Sequence, residues 1–169
     1  MALAFPFTAP ASAGSCAHAK APAKAISTRQ AKSAVACLLN KRRHSHGLGS
    51  LKLNHDLSKA SRDHSKYMER HDCFDHECPG EATLDSRLRG VHYLLSGLSS
   101  WLYGENIAYG TGSHGSPAAM TKAWMRSAGH RANILNGSFR DFGVGVVWGT
   151  PGNPHGDGGL YTTDFGYRR

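Results

Sequence analysis

Trp124-Met125-Arg126-Ser127-Ala128-Gly129-His130-Arg131-Ala132-Asn133-Ile134-Leu135 packs a helix end, a glycine, an imidazole and a fresh helical turn into one short run. Ser116-Pro117 upstream reads as an N-cap and first helical residue, where the N–H that proline lacks would be unsatisfied anyway. Ala119, Ala123 and Trp124, or Met120 and Trp124 one turn apart, supply the buried stripe of that helix. Gly129 is expected to let the chain turn out of it, which presents His130 at a break. A histidine there is either a hydrogen-bonded strut or a site residue, and the flanking sequence has to decide.

Downstream the pattern is β. Phe142, Val144, Val146 and Trp148 alternate with Gly143, Gly145 and Val147, which gives one heavy face and one slim face. Glycines on the slim face suit close approach by a neighbouring backbone. A loop rich in Gly, Pro, Asn and Asp follows at 149–159, and Leu160 to Tyr167 returns as a second strand. Upstream the period is helical. Val35, Leu38 and Leu39 mark a helix that stops before Gly47, with order beginning near Ala31. Asn54 or Asp56 caps a second helix that buries Leu57, Ala60 or Ser61, His64 and Met68. His64 on that apolar face reads as a core histidine with a backbone partner. Thr83 to Leu88 is a short capped helix ended by Gly90. Helices first and a hairpin last, without regular β-α alternation, indicate an α+β fold.

Two stretches carry candidate chemistry. His71, Cys73, His76 and Cys78 lie within eight residues, a density that invites a zinc reading. Four ligands so close leave no chain to wrap the ion, and a small Cys73–Cys78 disulfide loop suits an exported chain better. Cys16 with Cys37 would use up the remainder, although four cysteines allow three pairings. Such a loop would fix the directions of Phe74 and His76. Glu105, in Tyr103-Gly104-Glu105-Asn106-Ile107, sits among aromatic and apolar residues, where an unpaired buried charge is costly. His76 and His130 are its candidate partners; backbone N–H groups are the alternative.

The chain has 169 residues, 40% of them hydrophobic, enough for one domain with a real core, and carries a formal net charge of +8. Its basic residues form no run of five or six and are not interleaved with aromatics, which argues against a specific nucleic-acid partner. An anionic envelope surface, polymer or lipid, suits the charge better; ordinary solubility also accounts for it. Residues 1–15 read as the remnant of a secretion signal that lacks a charged start, with Ala11-Ser12-Ala13 as the small-x-small site. Residues 16–32 read as a flexible basic lead-in and 33–169 as the folded domain. No apolar segment is long enough to span a bilayer, and a monomer is expected.

Five motifs occur in order: Phe74 to His76, Gly104 to Ala108, Trp124 to Leu135, Gly143-Val144-Gly145, and Tyr161 to Gly166. Together they resemble the CAP superfamily of cysteine-rich secretory, antigen 5 and pathogenesis-related proteins, over residues 33–167. That resemblance implies a three-layer α-β-α sandwich, secretion or cell-wall association, and a central cavity whose two histidines and two acids hold a divalent metal in some members. By position, His76, Glu105 and His130 are three of the four. The fourth place, a Glu in eukaryotic relatives, is Ser127 here, a poor zinc ligand. A His₂Glu set with an open position still suits zinc, at low occupancy. The resemblance favours a non-enzymatic secreted module that binds a lipid, a cell-envelope component or a protein partner. A metal-dependent hydrolase is the alternative, but no HExxH helix supplies a general base.

Overall fold

The computed structural model describes residues 15–169; the expected signal remnant, Ser15 apart, lies outside them. In chain order the elements are α1 (Thr28–His44), β1 (Lys52–Leu53), α2 (His55–Arg70), α3 (Leu84–Gly90), β2 (Trp101–Thr111), α4 (Pro117–Arg126), α5 (Ala128–Ile134), β3 (Asp141–Trp148) and β4 (Gly158–Arg168). The sheet order is β1-β3-β4-β2, antiparallel except for the β1–β3 pair. Helices on both faces make three layers.

The strand alternation decides which helix goes where. Phe142, Val144 and Val146 of β3 join Tyr161 and Phe165 of β4 in one apolar core with Ala31, Val35 and Leu39 of α1, Met120 and Trp124 of α4, and Ile134 of α5. On the opposite face, α2 lies directly against the glycines of β3. A Cβ on Gly143 would fall 2.1 Å from the carbonyl carbon of Leu57, and one on Gly145 would fall 2.3 Å from Arg62 N. Both glycines are therefore required by the closeness of α2.

The helix ends follow their sequence signals. Asn54 caps α2 through Asp56 N and Leu57 N, Thr83 caps α3, and Ser116 caps α4 with Pro117 at its first turn. Of the two stripes open to α4, Met120 and Trp124 are buried, and Trp124 Nε1 donates to Ile107 O at 3.0 Å. Order begins before Ala31: Ser27 and Gln30 form a capping box that starts α1 at Thr28.

The lead-in is tied down as well. Ala23 N donates to Gly112 O, Ala118 N to Ala19 O, and Lys24 Nζ to His155 O. Cys16 is bonded to Cys37 on α1 and Cys73 to Cys78, so both expected disulfides are present. No helix among the described residues is long and apolar enough to cross a membrane.

Candidate functional site

The polar centre lies between α2 and the sheet. Turn by turn, Ser61, His64 and Ser65 of α2 face the strands and are fully buried. Ser61 Oγ donates to Asp164 Oδ2 at 2.9 Å and accepts from Asp164 N at 3.2 Å. Ser65 Oγ and Thr162 Oγ1 are hydrogen-bonded at 2.8 Å. Glu105 of β2 stands directly opposite Asp164 of β4 in the register. Two carboxyl groups so placed cannot both ionise cheaply. Burial, and then the Glu105 charge, push the Asp164 carboxyl well above its usual range. Asp164 Oδ1 has no hydrogen-bond partner among the described residues.

Glu105 is the charged member. Burial would raise its carboxyl, but the His76 hydrogen bond and the neighbouring His64 and Arg87 outweigh that and lower it. His76 Nδ1 lies 2.8 Å from Glu105 Oε1, and Arg87 Nη2 lies 3.0 Å from Oε2. Arg87, on the short helix that Thr83 caps, also reaches Glu81 Oε1 at 3.3 Å and the His76 carbonyl at 3.1 Å. Glu81 in turn accepts from His64 Nδ1 at 2.8 Å. The partner of His64 is thus a carboxylate and not the backbone group expected. Its other nitrogen, Nε2, is 3.7 Å from Glu105 Oε1 and makes no hydrogen bond among the described residues.

His76 is the accessible end of this chain of pairs, with its side chain 49% exposed. Its hydrogen bond to Glu105 raises the imidazole above its usual value against the opposing effect of burial. The Cys73–Cys78 loop holds it there, because Cys78 is buried beside Met68, Ile107 and Leu160. The same loop sets Phe74 edge-on to Tyr109, ring centroids 4.8 Å apart, both exposed. A cleft of about 480 Å³ opens over His76 and Glu105, lined further by Glu77, Thr83, Leu84, Asp85 and Tyr103.

The expected trio is brought together only in part. His76 and Glu105 are in contact, but the His130 ring makes no hydrogen bond among the described residues; burial and the His76 charge lower its imidazole. The strut at this place is the backbone of α5. Asn106 Nδ2 donates to His130 O, and Asn133 Nδ2 donates to Asn106 Oδ1 and Glu105 O. The break is also displaced: Ser127, extended at φ −87° and ψ 127°, separates α4 from α5, whereas Gly129 is helical. Ser127 makes no side-chain cap there.

The residues present do not fit the zinc expected at His76, Glu105 and His130. Both Glu105 oxygens are engaged, one of them by a guanidinium whose fixed charge opposes a cation. No three metal-ligating side chains among the described residues are grouped to hold an ion. Sequence reasoning missed Asp164, Arg87 and Glu81. A lone acid between Thr163 and Phe165, in a strand whose other charge is Arg168 at its end, was the available signal for Asp164; Arg87 and Glu81 gave none, being ordinary surface types in a short helix and its lead.

Comparison with known proteins follows the same outline. A curated relative, the uncharacterized protein YkwD of Bacillus subtilis, is 37% identical over 138 residues, which are 76% of this chain and 51% of that protein. The uncharacterized membrane protein YlbC of the same organism is 32% identical over 109 residues, 64% of this chain and 29% of its own. The chain thus spans about half or less of these relatives. An extracellular SCP-domain protein from Bacillus anthracis superposes with a TM-score of 0.63 at 28% identity, over 83% of this chain and 43% of that one. An outer surface protein from Borrelia burgdorferi shares the fold, with a TM-score of 0.68 at 17% identity over 85% of this chain and 97% of its own. The profile of the cysteine-rich secretory protein family, CAP, matches residues 38–160, and on that match the chain belongs to this family.

Proposed function

We propose that the chain is a secreted, non-enzymatic binding domain that takes a hydroxyl- and amine-bearing segment of a cell-envelope glycan in the cleft over His76 and Glu105. One observation carries this reading: both oxygens of Glu105 are already held, by His76 at 2.8 Å and Arg87 at 3.0 Å, so the buried carboxylate of the cleft floor is not free to take a proton from a bound water. What the cleft does offer is acceptors beside an apolar wall. Glu77 stands with Leu84 and the Tyr103 ring along the cleft, and Asp85 beside them already shares its carboxylate with Arg89 at 2.6 Å. Acids and an aromatic face together suit sugar hydroxyls and amines, with the ring stacking on the sugar and the acids fixing its orientation. Secretion is supported by the two disulfides and by relatives described as extracellular or outer-surface proteins.

The test is calorimetric titration of a soluble amino-sugar oligomer into wild type and Tyr103→Ala, with the oligomer analysed for cleavage afterwards. Saturable binding, weakened about tenfold by the substitution and leaving the oligomer intact, is the expected result. Cleaved oligomer, or equal binding by both proteins, would overturn the reading.

A further inference from the structure

A second groove lies away from the cleft, at the free edge of the sheet. β1 pairs with β3 only at Asp141 and Phe142, so beyond Phe142 the outer side of β3 has no partner strand among the described residues. There α1 and α2, on opposite faces of the sheet, overhang Val144 and Val146 and leave a groove of about 320 Å³. Its other lining residues are Thr28, Arg29 and Lys32 of α1 and Ser58 and Arg62 of α2. Val144 N donates to Ser58 Oγ at 3.4 Å, which shows that this residue turns its N–H toward the gap. Val146, two residues on in the same strand, turns its own N–H the same way.

The charge in this groove is unbalanced. Arg29 and Lys32 make no ion pair or side-chain hydrogen bond among the described residues, and the first turn of α1 holds no acid. Among the described residues Arg62 pairs only with Asp63, at 3.3 Å, and Lys59 holds that carboxylate more closely at 2.7 Å. Burial, and then the charge of Arg62, lower the Lys32 ammonium, so the two cations feel one another. Three cations with a share in one acid repel, and the partner that relieves them is an anion carrying more than one charge. Two guanidinium forks and an ammonium, with the Thr28 hydroxyl beside them, suit a phosphate, which combines several acceptor oxygens with more than one negative charge.

We propose that this groove binds a phosphate group, held by Arg29, Lys32 and Arg62. The inference is independent of the glycan reading, since none of these residues lines the cleft over His76. Its test uses inorganic pyrophosphate at low salt, titrated into wild type, a Lys32→Ala/Arg62→Ala double variant and a Lys20→Ala/Lys122→Ala control. The control removes the same net charge from exposed positions outside the groove. Unchanged far-UV circular dichroism and urea midpoints establish that all three are folded.

Saturable binding by wild type, weakened about tenfold or more in the groove variant and less than about twofold in the control, is the expected result. No saturable binding by wild type, or equal weakening in both variants, would overturn the proposal in favour of a diffuse basic surface. A second arm uses phosphatidylglycerol vesicles to identify the phosphate's source. Vesicle binding that pyrophosphate displaces in wild type, and that the groove variant lacks, supports the site with a lipid headgroup as the source. Pyrophosphate binding without vesicle binding supports it with a soluble phosphate-bearing chain as the source.

Discussion

The two faces of the sheet are built from the same strands and could hardly differ more in chemistry. Tyr161 and Phe165 turn toward α1 and α4 into a core of hydrocarbon and aromatic rings. Thr162 and Asp164, their immediate neighbours, turn toward α2 and meet serines. The first face is held by area removed from water, which is non-directional and tolerant of repacking. The second is held by hydrogen bonds and ion pairs that are useful only at their proper distances. Gly143 and Gly145 link the two, since without a Cβ on β3 the helix backbone comes close enough for short serine side chains to reach the next strand. The candidate site grows from the directional face.

The sharpest way to break this contrast is Glu105→Gln. It leaves Arg87, 8% exposed, without its nearer carboxylate, while Glu81 still reaches it at 3.3 Å. Removing one partner of a buried pair typically costs about 3–5 kcal/mol, and the remaining Glu81 contact places this case near about 3 kcal/mol. Urea denaturation at neutral pH measures it. A loss near zero would mean that the network adds nothing to the fold.

Gly145→Ala tests the closeness of α2. A Cβ at 2.3 Å from Arg62 N forces the helix outward, with an expected cost of about 1–3 kcal/mol. The Asp164 N–H, which donates to Ser61 Oγ, should then lose protection in hydrogen exchange before amides facing the apolar core do.

The smallest effect is in pH dependence. His76 has a raised imidazole, so its contribution to stability is complete below its usual value of 6.5 and is lost as pH rises through the raised one. Glu105 has a lowered carboxyl, so its contribution is complete above 4.5 and is lost as pH falls through the lowered one. The His76–Glu105 pair is therefore worth most between those two usual values. His76→Gln should flatten the alkaline limb of the denaturation midpoint against pH and leave the acid limb. An unchanged alkaline limb would assign that slope to another group.

This contrast also explains what could be read from the chain alone. Hydrophobic period placed Met120 and Trp124, Leu57 and Met68, and the heavy and slim faces of β3, because burial of area depends on residue type and spacing. The Ser116, Asn54 and Thr83 caps were legible because capping is local. The Glu105–Asp164 contact was not, because it depends on the register of strands distant in sequence. Arg87 was hidden for the same reason: a short surface-type helix gives no sign that its guanidinium folds inward. The setting of His130 was legible only in part: Ser127 rather than Gly129 makes the break, and the contacts to β2 come from the His130 carbonyl and the Asn133 side chain.

The tied-down lead-in has a consequence for proteolysis. Lys20 and Lys24 are exposed, and a trypsin-like enzyme that cut after either would sever the segment carrying Cys16 from the rest of the chain. The severed piece would not leave, because the bond to Cys37 anchors it to α1. Nicked protein would run as one species until a reductant is added and as two afterwards. Survival of the nicked form is then set by the redox state of the surroundings as much as by the fold.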